Sequence, residues 1–247
     1  MRKRLLFCTY YVAALLAGLQ PLMSTPDQTW GAETAAAFAP DPFGADHPEL
    51  DSLAIGSWWE KSRPRGANSP IDLDVPRNQV VAFALYTHDH GVLKMTAQLF
   101  PLKPQESRRV TLELMREGTW REVAQTEVVY PGWSAHFRVE GWDDSHDVAY
   151  RVRHEEGAEF AGVIRRDPRD KPEIVVANMS CNSSRTGGLR PEIVDNLIAQ
   201  NPDLLFFAGD QTYRHTEHTA GWLEFGLQFR DVIRDRPTIC IPDDHDV

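Results

Sequence analysis

Cysteine is scarce in this chain. There are three in 247 residues, Cys8, Cys181 and Cys240. That is too few for a disulfide-built scaffold, so an apolar core must hold the fold. Cys8 lies in the leading segment. Cys181 and Cys240 are open to two readings: one disulfide, or one metal-binding thiolate and one buried strand cysteine. Cys240 sits inside an apolar strand pattern, which favours core packing for it. A surplus of positive charge is also missing, the net charge being -10. This disfavours a nucleic-acid partner, whose phosphates need a basic surface. A small phosphorylated ligand is not excluded, because bound cations reverse the local charge. No Gly-x-Ser-x-Gly elbow is present, which weighs against a serine hydrolase. His215 and His218 lack the His-Glu-x-x-His spacing and read as a solvated loop. No internal repeat or low-complexity tract is present.

Long apolar runs are missing too, apart from residues 5–22. That run follows Arg2, Lys3 and Arg4, the order of a basic and then an apolar region in an export signal. Gly18, Gln20 and Pro21 would make a poor membrane helix, and small residues follow at 31–37. Residues 1–35 are therefore expected to be a signal peptide and its cleavage region, and 36–51 a linker. The rest would be secreted, periplasmic or at the cell surface, with no stable membrane span after cleavage.

The apolar fraction, 42%, is ordinary for a globular protein. Residues 52–168 read as about seven short strands, over 79–86, 92–100, 108–116, 120–129, 133–140, 147–154 and 159–165. Val110, Leu112 and Leu114 fall on one face, with Thr111 and Glu113 on the other. Gly91, Glu117-Gly118, Pro131-Gly132 and Glu156-Gly157 mark turns, and Thr87-His88-Asp89-His90-Gly91 reads as a hairpin tip. This predicts an antiparallel β-sandwich. Its Trp142 and Tyr150 resemble a fibronectin type III corner.

After a polar joint at 167–172 the pattern changes. Residues 174–177, 204–208 and 238–241 are apolar on both faces. Between them lie two helical stripes, Ile193, Val194, Leu197 and Ile198, then Trp222, Phe225, Phe229, Val232 and Ile233. Strand, helix, strand, helix, strand predicts a parallel sheet covered by helices over 172–247. Right-handed crossovers place all three strand C-termini on one edge, where open α/β sheets bind ligands.

Three turns meet at that edge: Ser180-Cys181-Asn182, Gly209-Asp210-Gln211-Thr212-Tyr213 and Asp243-Asp244-His245-Asp246. A carboxylate shared by two cations lets them sit close together, and such a pair can activate water and neutralise phosphoryl oxygens. Gly209 allows the close backbone approach that aims Asp210 inward. A thiolate and a phenolate favour a transition metal over calcium. Taken singly, Asp210 could be a turn former, Tyr213 could pack at the sheet edge, and Asp243–Asp246 could be solvated.

In that order and context the turns resemble the alkaline phosphatase D (PhoD-like) branch of the calcineurin-like metallophosphatases. The matching motifs are a Ser-Cys turn, Gly-Asp-x-x-Tyr and Asp-Asp-His-Glu/Asp. The resemblance implies a secreted phosphoric-ester hydrolase with a sandwich in front of its catalytic sheet. It implies that Asp210 bridges the metals, that Cys181 and Tyr213 bind an iron-like metal, and that Asp244 contacts a second metal, calcium. His245 would act on the phosphoryl group as hydrogen-bond donor or general acid, and a metal-held hydroxide would be the nucleophile. Family members continue past the third motif with more sheet and more ligands, whereas this chain stops at Val247. The catalytic sheet is accordingly expected to be incomplete and the chain a fragment, with a non-catalytic exported binding module as the alternative to an enzyme.

Overall fold

The computed structural model describes residues 47, 50–60, 71–155, 157–183 and 190–247. The expected signal, Cys8 and most of the expected linker lie outside the described residues.

Seven antiparallel strands come first: β1 (Val81–Asp89), β2 (Val92–Leu99), β3 (Arg109–Arg116), β4 (Thr119–Glu127), β5 (Ser134–Glu140), β6 (Val148–His154) and β7 (Glu159–Ile164). They make two sheets, ordered β1-β2-β5 and β4-β3-β6-β7. Alternation decides which side chains enter the space between them. Val110, Leu112 and Leu114 of β3 are fully buried, and Trp133, Tyr86, Tyr150 and Phe83 fill the same core. Two hairpins turn on His90-Gly91 and Glu117-Gly118, all four residues at positive φ, the geometry that matches strand twist. That tight turn corrects the expected hairpin tip. Only His90 and Gly91 lie outside the ladder, while Thr87, His88 and Asp89 belong to β1. His88 Nε2 is 2.8 Å from the Arg165 carbonyl oxygen. Tyr150 does not spend its hydroxyl within the sandwich. It donates to the carbonyl of Arg234 at 3.0 Å, and the Trp142 ring lies beside His88 instead.

The second part runs β8 (Val176–Met179), α1 (Pro191–Gln200), β9 (Leu204–Ala208), α2 (His218–Ile233) and β10 (Thr238–Ile241). The sheet is parallel and ordered β10-β9-β8. Pro191 opens α1 at its first turn, and Asn201 closes it in the left-handed region at φ 49°. β8 begins two residues later than the apolar pattern predicts. Asp203 takes the Val175 N–H with its carboxylate at 3.0 Å and gives its own N–H to the Val175 carbonyl at 2.8 Å. The ladder can start only beyond that clasp.

Among the described residues, the expectation of a sheet covered by helices holds for one face only. Leu205, Phe207, Ala177, Met179 and Cys240 pack with Val194 and Leu197 of α1 and with Phe225, Phe229, Val232 and Ile233 of α2. The other face keeps Val176, Ile239 and Ile241 at 49%, 40% and 45% exposure. Topology is the cause. Strands laid down in one direction by right-handed crossovers put both helices on the same side.

α2 lies between this sheet and the sandwich. Its Gly226 sits against Phe83 of β1 so closely that an added Cβ would stand 1.8 Å from that ring. At the far end of α2, Asp235 accepts the Val163 N–H at 2.9 Å. At its start, Thr219 N–H and Oγ1 both donate to the carboxylate of Asp51, each at 2.8 Å. The helix cap is thus supplied from 168 residues away.

Candidate metal centre

Three strand ends bring the expected residues to one edge. After β8 the backbone turns at Cys181, which sits at φ 57°. After β9 it turns at Gly209 and Asp210, φ 90° and 56°. Left-handed backbone at a Cys and an Asp costs on the order of 1–3 kcal/mol each and persists only where neighbours enforce it. They do so here. Cys181 N–H donates to the Gly209 carbonyl at 3.3 Å, and Asn182 N–H to that of Asp210 at 2.8 Å. Gly209 leaves room for the third turn, since a Cβ on it would lie 2.4 Å from the Cβ of Asp243. After β10, Asp243 caps the single 3-10 turn Asp244–Asp246, and Asp246 completes a reciprocal capping box.

The side chains converge on Asp210, which is buried. Its Oδ2 accepts the Tyr213 hydroxyl at 3.0 Å and lies 3.6 Å from Cys181 Sγ. One ligand atom each from Asp210, Asp244 and His245 lie within 4.8 Å of one another. The His245 and Tyr213 rings are 4.3 Å apart. All five residues singled out in the sequence are therefore neighbours. Asp210 Oδ1 is the informative atom, because it is buried and accepts no hydrogen bond among the described residues. A buried carboxylate oxygen without a partner is costly, and a cation is the partner that suits it. Carboxylate oxygens, an imidazole, a thiol and a phenol form a donor set for a transition metal beside a harder cation. Burial first, then the hydrogen bond to Asp210, holds the Tyr213 phenol above the ordinary tyrosine value.

Cys181 and Cys240 are both free thiols, which removes the disulfide reading. Cys240 points to the helix side of the sheet, and burial pushes its thiol up to about 12.

Four residues near the site were given no part in it by sequence reasoning. Asp246 serves the backbone, accepting from Thr212 N–H at 3.1 Å and Asp243 N–H at 3.1 Å. Gln211 Nε2 ties the β9 and β10 ends together through the Phe207 and Ile241 carbonyls. Gln228 of α2 receives the Asn182 amide at 2.8 Å. A glutamine next to Phe229 in the α2 stripe was the available signal for it. His215 is exposed, as a loop residue should be, yet its Nε2 is 3.3 Å from His245 Nδ1.

No protein-family model matches the sequence, and no curated protein matches it. Solved structures do. The PhoD structure aligns over 70% of this chain at 13% identity, with a TM-score of 0.56. The chain shares the PhoD fold. It spans 40% of that protein's length. A purple acid phosphatase, PPD1 from yellow lupin (Lupinus luteus) seeds, aligns over 66% of this chain and 34% of its own at 13% identity and a TM-score of 0.46.

Proposed function

We propose that this chain is the metal-binding part of an exported phosphoric-ester hydrolase. The observation that carries the reading is the orphaned, buried Asp210 Oδ1, held by left-handed backbone amid Cys181, Tyr213, Asp244 and His245. Asp210 would be shared between two ions, with Cys181 and Tyr213 on an iron-like one and Asp244 on a calcium-like one. Bound metals would supply Lewis acidity toward phosphoryl oxygens and make water nucleophilic. The protein's own part is positional. The capping box fixes where Asp244 and His245 stand, and Gly209 lets that turn close over Asp210. His245 lies beside the Tyr213 ring and His215, and would donate a proton or hydrogen bond to a phosphate ester. The leading segment would export the chain to the periplasm, the cell surface or the medium. The three-plus-four-stranded sandwich over 52–168 would be of the fibronectin III kind, and 172–247 would belong to the metallophosphatase layer. Among the described residues no helix is long and apolar enough to cross a membrane.

The test is elemental analysis of the purified chain together with aryl-phosphate hydrolysis. Stoichiometric metal that disappears in Asp210→Asn, with turnover lost in the same variant, supports the reading. A chain that takes up neither iron-type metal nor calcium sinks it and leaves a non-catalytic exported module.

A further inference from the structure

Helix α2 is apolar toward the sheet but carries one polar line. Gly221, Glu224 and Gln228 recur three and four residues apart, so they share a face. All three meet the residues that follow the strand ends. A Cβ on Gly221 would stand 2.3 Å from Thr212 Oγ1. Glu224 Oε2 is 3.6 Å from the Arg214 guanidinium. Gln228 Oε1 accepts the Asn182 amide at 2.8 Å.

Asn182 is the pivot of the first turn. Its Nδ2 also donates to the Gln211 carbonyl at 3.2 Å. One nitrogen thus serves two acceptors, which fixes the orientation of the amide and requires Gln228 to present its oxygen. Three consecutive carbonyls of the second turn are then taken by the first. Gly209 receives the Cys181 N–H at 3.3 Å, Asp210 the Asn182 N–H at 2.8 Å, and Gln211 the Asn182 side chain. These bonds run beside the 3.6 Å approach of Cys181 Sγ to Asp210 Oδ2 and set it.

The third turn is braced in another way. Its capping box is its own, and Asp246 ties it to the Thr212 N–H. Asp244 and His245 therefore owe their place to Asp246, whereas Cys181 owes its place to Asn182. Gln228 is buried, and a buried amide is costly unless it is paired. An apolar residue of the same size would fill that position on α2 equally well. What the amide adds is direction.

We propose that Asn182 and Gln228 are positioning residues for the thiol half of the metal centre. Gln228 aims the Asn182 amide, and Asn182 holds Cys181 within reach of an ion on Asp210. The inference rests on the metal-binding function proposed above. It gives α2 a second task, since the helix seated on Phe83 and Asp51 of the sandwich side is also the one that steadies the centre.

The experiment is titration of the full chain with cobalt(II), which accepts nitrogen, oxygen and sulfur ligands and whose bond to a thiolate absorbs in the near ultraviolet. Wild type should bind cobalt and show the thiolate band. Gln228→Met keeps the volume and removes the acceptor. It should weaken cobalt binding about tenfold, as removal of a group behind a metal ligand does, and lower the thiolate absorbance per bound ion. Asn182→Ala should do the same or more. The double variant should be no weaker than Asn182→Ala alone, because Gln228 acts through Asn182. A general loss of structure would lower the melting point of the metal-free chain and leave the band per bound ion unchanged. If Gln228→Met does not fold, Asn182→Ala, a change in a half-buried loop residue, decides. Affinity and band unchanged in Asn182→Ala overturn the inference, and so do effects of the two changes that simply add. Cobalt bound by wild type without a thiolate band overturns it while leaving a metal centre in place. A wild-type chain that binds no cobalt overturns the metal-binding function and this inference with it.

Discussion

At Gly209 a side chain has nowhere to go, with φ at 90° and Asp243 in the way. Gly209→Ala combines backbone strain with a clash and should cost on the order of 3 kcal/mol. Urea denaturation will report the loss, and metal analysis should show the centre weakened as well, because Asp243 carries the cap of the third turn. Asp210→Asn is a different kind of change. Asparagine tolerates the left-handed region, so the fold should survive while metal uptake is abolished. Separating these two outcomes distinguishes a framework residue from a ligand. The two described cysteines divide similarly. Cys240 is held as a thiol by burial, whereas Cys181 is exposed. Alkylation at neutral pH, followed by peptide mass spectrometry, should label Cys181 well before Cys240. The Cys181-Asp210-Tyr213 cluster was legible because each residue follows a largely apolar strand. The role of Asp246 was not, because a carboxylate that binds backbone looks the same in sequence as one that binds metal.

Among the elements, α2 is the most constrained, with Gly226 on Phe83, Thr219 on Asp51 and the Arg234 carbonyl on Tyr150. Alanine is better than glycine in a helix by about 1 kcal/mol. Gly226→Ala should nonetheless destabilise by about 2–3 kcal/mol, because overpacking outweighs propensity, and the melting temperature will show it. The cap from Asp51 could not be read from the sequence, since nothing local marks a partner so far away. The start of β8 is set by Asp203, which also pairs with Lys171. Burial pushes its carboxyl up, but the Lys171 ammonium, the Val175 N–H and Arg165 outweigh that and leave it below the ordinary aspartate value. A depressed carboxyl stabilises the fold above its unfolded value, near 3.9, and the benefit fades as pH falls through the lower folded value. Asp203→Asn should therefore lose stability at neutral pH and show a flatter acid limb below about pH 4. Denaturant midpoints measured across that window are the check.

At the largest scale the salient property is the sheet face that no helix covers among the described residues. Apolar patches of that kind, next to strand edges, invite association. We expect the chain to bind a hydrophobic dye and to self-associate with rising concentration in sedimentation experiments. Val176→Lys and Ile239→Lys should reduce both. The parallel sheet itself was legible, because its strands are mostly apolar on both faces. That same uniformity hid the bare face: Phe206 and Ile239 are as hydrophobic as Phe207 and Cys240 beside them, so pattern alone could not tell the covered side from the open one. The sandwich was legible for the opposite reason, since its strands alternate.

The seating of α2 has a consequence for biogenesis. On its sandwich side, what receives the helix, including Asp51, Phe83, Tyr150 and Gly162, precedes it in the chain. A polypeptide made from its N-terminus completes the sandwich while residues 218–235 are still to be synthesised, and domains generally fold in that order. The helix would then be born onto a finished template, and the edge that gathers Cys181, Asp210 and Asp244 would form after it.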